Sequence, residues 1–121
     1  MYLRFIAGAE LESPTKQDGL FTEVEYLRKS SKLESYQIEY VKEIFKYFND
    51  NLPVPPFSSK RWPTNAVSWF KDSAEEYISR MWDLVSILRE NDINVKVLKT
   101  EKPGMILYED DFQIVAKSKY Y

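Results

Sequence analysis

Apolar positions recur along this chain in two rhythms, and each rhythm predicts an element. From Tyr2 to Ala7 they follow the alternation of a strand, with Leu3, Phe5 and Ala7 on one face and Tyr2, Arg4 and Ile6 on the other. Leu20, Val24 and Leu27 share a helical face. That helix starts near Leu20 with Asp18 or Gly19 as N-cap and is broken by Ser30-Ser31-Lys32. Val41, Ile44, Phe45 and Phe48 stand at i, i+3, i+4 and i+7, which predicts a second helix from about Ser35 to Asp50. Glu39, Lys42, Glu43 and Lys46 take its wet side.

Between Leu52 and Asn65 the pattern stops at Pro53, Pro55, Pro56 and Pro63, residues that helices and central strands exclude. This stretch reads as an ordered crossover loop, because Phe57 and Trp62 provide something to bury. Ala66 to Phe70 fits a short strand or an early helical turn equally well. Beyond it, Asp72-x-x-Glu75 and Ser73-x-x-Glu76 both have the spacing of a capping box, so a third helix is expected from Ala74 to Glu90. Its stripe is Ala74, Tyr77, Ile78, Met81, Val85 and Leu88, widened by Trp82, and Asn91-Asp92 ends it.

Alternation returns at Val95 and Val97 and runs to about Thr100. Lys102-Pro103-Gly104-Met105 suits a type II turn, since proline presets φ at the second position and glycine accepts a positive φ at the third. Met105–Tyr108 and Phe112–Ala116 follow as strands joined through Glu109-Asp110-Asp111. The expected fold is α+β in the order β-α-α-α-β-β-β. The last three strands form an antiparallel meander that the first strand joins, making a four-strand sheet of uncertain order with three helices mainly on one face. Residues 1–121 read as one compact domain, a size that buries enough surface to need no staple.

Composition narrows the chemistry. There is no histidine and no cysteine, which removes the usual neutral-pH proton shuttle, the thiol nucleophile and the common zinc ligands. Three glycines leave no room for a glycine-rich phosphate cradle. A net charge of −2 supplies no overall drive toward nucleic acid or anionic lipid. No apolar run approaches a membrane span, and the N-terminus lacks a signal-peptide pattern, so a cytoplasmic location is expected.

Two stretches combine residues that could bind or react. Lys60, Arg61 and Trp62, followed by Trp69 and Lys71, set cations beside stacking rings, as a phosphate carrying a base would require. The same residues also read as core plugs with solubilising charges. Tyr108, Glu109, Asp110 and Asp111, with Gln113 beyond, set carboxylates close together, although strand alternation allows at most two to converge and Asp-Asp is ordinary turn chemistry. Arg4 lies mid-strand. It either pairs with a carboxylate such as Glu109 or Asp110, binds an anion, or protects an edge in solvent.

Ala66-Val67-Ser68-Trp69-Phe70-Lys71 and the later Pro103-Gly104 to Ala116 stretch resemble a family of small uncharacterised bacterial proteins. Gly19-Leu20-Phe21 and Asn51 to Pro55 are similar as well. The resemblance implies a bacterial or phage origin and attaches no activity, metal or cofactor. Lys71, Tyr108, Glu109, Asp110 and Gln113 occupy its polar positions.

No catalytic set emerges, and no cofactor is expected. Nine tyrosines and three tryptophans favour a protein-interaction or regulatory module whose partner is another protein or a second copy. The alternatives are a small anionic ligand such as a nucleotide, held by the residues named above, and a carboxylate or tyrosine enzyme with or without a metal.

Overall fold

The computed structural model describes residues 1–7, 20–53 and 66–117. In chain order the elements are β1 (Tyr2–Ala7), α1 (Leu20–Lys29), α2 (Ser35–Asn51), β2 (Ala66–Lys71), α3 (Glu75–Glu90), β3 (Val95–Thr100), β4 (Met105–Glu109) and β5 (Gln113–Lys117). The α+β class and the three helices match the expectation. The sheet has five antiparallel strands instead of four, because Ala66–Lys71 takes the extended form that the sequence left open. The proposed N-caps Asp18 and Gly19, and the crossover loop from residue 54 to 65, lie outside the described residues.

Local chemistry sets the helix ends. Helix α1 stops where the Ser30 hydroxyl donates to the Leu27 carbonyl at 2.8 Å and Ser31 turns left-handed at φ 62°. Helix α2 opens with a reciprocal box. The Glu34 carboxylate accepts the Gln37 backbone N–H, and the Gln37 side-chain oxygen accepts the Glu34 N–H at 2.9 Å. The other end of the Gln37 amide donates to Glu90 at 2.7 Å, tying the start of α2 to the end of α3. Helix α3 corrects the capping expectation. Its N-cap is Ala74, with no side-chain cap, because Asp72 and Ser73 lie in a turn closed by the Ala74 N–H on the Lys71 carbonyl.

The helices bury one shared core against Phe5 and Ala7 of β1, with Val95 and Val97 of β3 beside them. Within it Phe48 joins an aromatic cluster, 5.2 Å from the ring of Phe21, 5.7 Å from Tyr77 and 6.3 Å from Phe70. On α3 the buried set is Tyr77, Met81, Leu84, Val85, Ile87 and Leu88. Leu84 and Ile87 thus join the stripe, while Trp82 stays 41% exposed with its ring edge-on to Phe5 at 5.4 Å.

Strand order is β3-β1-β2-β5-β4, and this overturns the meander. Only β4 and β5 form the expected hairpin; β3 pairs with β1 along its whole length and does not neighbour β4. The connection between β3 and β4 also determines the sheet's shape. Thr100 pairs with Tyr2 and Tyr2 with Lys71, whereas Met105 pairs with Lys117 and Lys117 with Ala66. Thr100 and Met105 therefore belong at opposite ends as well as opposite edges. In a flat sheet they would stand about 25 Å apart, from about 4.8 Å per strand across and about 3.3 Å per residue along. Five residues of chain reach at most about 18 Å. The sheet must therefore be strongly coiled, its edges drawn toward each other.

Coiling explains the second face of the sheet. Register places Tyr2, Arg4, Ile6, Val67, Lys71, Ile114 and Ala116 on the side away from Phe5 and Phe70, and Ile6, Val67, Ile114 and Ala116 are buried there. Tyr2 of β1 and Ile106 of β4 line one depression with residues 101–105, although two strands separate theirs in the sheet. Gly104, at φ 113°, makes the bend between β3 and β4. No described helix is long and apolar enough to cross a membrane.

Candidate functional site

The polar residues around β4 and β5 separate onto the two faces of the hairpin. A bulge between Ile106 and Tyr108 shifts the register so that Tyr108 opposes Val115 and Glu109 opposes Ile114. Tyr108 therefore shares the face of Gln113, and Glu109 shares that of Lys71.

On the first face Asp110 organises the turn. One carboxylate oxygen accepts the backbone N–H groups of Phe112 (2.8 Å) and Gln113 (3.0 Å), an Asx turn. The other accepts the Tyr108 hydroxyl at 2.8 Å and the Gln113 side-chain amide at 3.1 Å. The Gln113 amide also donates to the Pro53 carbonyl at 2.6 Å, so the hairpin is tied to the chain leaving α2. Burial works against the Asp110 charge, but the bonds from Phe112, Gln113 and Tyr108 outweigh it and hold the carboxyl below its ordinary value. The same carboxylate, accepting the phenol hydrogen bond, raises the Tyr108 pKa.

On the second face Lys71 meets Glu109 at 2.6 Å. The hydrogen bond to Glu109 raises the Lys71 pKa, partial burial opposes it, and the charges of Glu109, Tyr2 and Asp111 add to the rise. Two of the three consecutive carboxylates are thus committed, Glu109 to an ion pair and Asp110 to the turn. Among the described residues no group of three or more acidic side chains converges as a metal site.

Arg4 faces neither solvent nor the helical layer. It is 7% exposed, on the face away from the helices, and its guanidinium donates to the Ser68 carbonyl at 3.3 Å. Strand β1 is central, so edge protection does not apply. Trp69 shares that face and is half-buried, its indole N–H enclosed without an acceptor among the described residues. Lys60, Arg61 and Trp62 lie outside the described residues.

A third cluster, not singled out by residue type, lies on the helical layer. Along α2, Tyr36, Tyr40 and Tyr47 follow one flank beside the apolar stripe, facing α3. The Arg80 guanidinium lies 3.6 Å from the centre of the Tyr47 ring and pairs with Glu76 at 3.0 Å. The Tyr40 hydroxyl bonds Asp83, which raises its pKa first through that bond, then through burial and the Asp83 charge. The spacing i, i+4, i+11 could have revealed the stripe, because those positions recur on one side of a 3.6-residue helix. No family model, curated protein or solved structure matches this chain.

Proposed function

We propose that this chain is a non-catalytic protein-binding or regulatory module of a bacterial or phage cytoplasm, whose partner is another protein or a second copy. The observation that carries this reading is the contrast between two sets of residues. Lys71, Tyr108, Glu109, Asp110 and Gln113, the side chains best suited to chemistry, are spent on holding the hairpin and its neighbours together. Large aromatic side chains instead stand in solvent on the helical layer: Tyr26 is 70% exposed, Tyr36 69% and Tyr40 40%. Tyrosine and tryptophan are enriched where proteins meet, because a rigid ring buries much area for little lost entropy. A small anionic ligand draws less support, since Lys71 already faces Glu109.

Affinity capture of the tagged full chain from its native host, with light scattering of the purified protein, tests the proposal. A stoichiometric protein partner or a defined oligomer is expected. A strict monomer that retrieves no protein would overturn it.

A further inference from the structure

The helical layer narrows the partner's chemistry. Helices α2 and α3 run antiparallel, since Gln37 at the start of one bonds Glu90 at the end of the other and Tyr47 meets Tyr77 and Arg80 further along. Their outer seam carries the rings of Tyr36, Tyr40 and Tyr47 on one side. Tyr36 to Tyr47 spans about 16 Å of helix at 1.5 Å per residue. The seam's charges are lopsided. Glu43 influences Tyr40 from the same helix, and Asp83 bonds Tyr40 from the facing one. Glu76 and Glu90 mark the two ends of the seam. Arg80, the cation that the described residues of α3 place beside Tyr47, is paired with Glu76 and covered by the Tyr47 ring.

We infer that this seam docks a cationic helical segment of a partner protein, a refinement that rests on the protein-binding reading above. Three features of the partner follow. Lysine or arginine side chains would lie over the exposed ring faces of Tyr36 and Tyr40, where the π quadrupole attracts a cation. Their charges would meet Glu43, Asp83 and Glu90, complementarity that steers encounter and selects against acidic partners. A helix of about three turns matches the length of the tyrosine stripe.

The test uses the full chain and two fluorescein-labelled peptides. One is an alanine-rich helix with lysine at i, i+4 and i+7; the other carries glutamate at the same places. Anisotropy at low salt is expected to show binding of the lysine peptide alone, weakening as salt rises. A Tyr36→Ala/Tyr40→Ala double variant should bind about tenfold or more weakly while still melting cooperatively, at a midpoint lowered only by the lost Tyr40–Asp83 bond. Asp83→Lys should abolish binding. Glu101→Lys makes the same charge change on the β3–β4 connection and should leave binding nearly unaltered. Equal affinity for both peptides, no binding of the lysine peptide, an unaffected tyrosine double variant, or equal losses from Asp83→Lys and Glu101→Lys would each overturn the seam. The two proposals fail separately. A captured host partner that binds the tyrosine double variant as tightly as the parent removes the seam and leaves the protein-binding reading intact, whereas the absence of any partner or oligomer removes that reading.

Discussion

Gln113 bonds Asp110 and Pro53 with one side-chain nitrogen, at 3.1 and 2.6 Å, and so joins a hairpin turn to the chain leaving α2 across sixty positions of sequence. A carboxylate with four donors around it resembles a catalytic or metal-binding group when only residue types are considered. In the folded protein its lone pairs are taken up by the turn it closes.

Replacing that carboxylate should cost stability. Asp110→Ala strips a charged acceptor from Phe112, Gln113 and Tyr108 and is expected to destabilise by about 2 kcal/mol. Asp110→Asn keeps one oxygen for the backbone N–H groups and should lose less. Urea denaturation of the two variants at neutral pH measures both, and an Asp110→Ala midpoint equal to the parent's would contradict the assignment.

The same group makes stability depend on acid. Its folded pKa lies below the unfolded value of about 3.9, so the unfolded chain takes up the proton first. The contribution is complete above that unfolded value and is lost as pH falls through the folded one. Melting curves taken from neutral pH down through this window should show a steeper loss for the parent than for Asp110→Asn.

The Lys71–Glu109 pair should behave differently, because its side chains are 23% and 50% exposed. Solvent screens it, and Glu109→Gln is expected to cost less than about 1 kcal/mol, a difference that shrinks in high salt. A loss of several kcal/mol that salt does not change would show that the pair does more than hold two strands together.

Gly104 offers a test of the sheet's closure. At φ 113° its backbone occupies a region that a Cβ disfavours, at the bend that carries β3 into β4. Gly104→Ala should destabilise by about 1–3 kcal/mol, read by chemical denaturation. Asp92, left-handed at φ 62°, is the converse case, and Asp92→Gly should be neutral or stabilising.

Met81 probes the core beneath the tyrosine seam. The side chain is buried among the three helices and the sheet, so Met81→Asp places an unpaired charge there and should abolish cooperative thermal unfolding. A cooperative melt at the parent midpoint would refute its placement.

Periodicity alone determined every element of this protein except β2. Alternation marked β1 and the C-terminal strands, and the 3.6-residue rhythm marked α2 and α3, because burying one face leaves its imprint on neighbouring positions in the chain. Short range is also where that imprint ends. Whether Ala66–Lys71 is extended depends on β1 and β5 lying on either side of it, and those partners are remote in sequence. The separation of β3 from β4 depended likewise on tertiary structure, since four residues with a proline and a glycine look like a tight turn until register shows that they cross a coiled sheet. The fates of Arg4, Lys71 and Asp110 were decided the same way. Residue type states what a side chain can bind, but only packing supplies the carbonyl, carboxylate or N–H that occupies it.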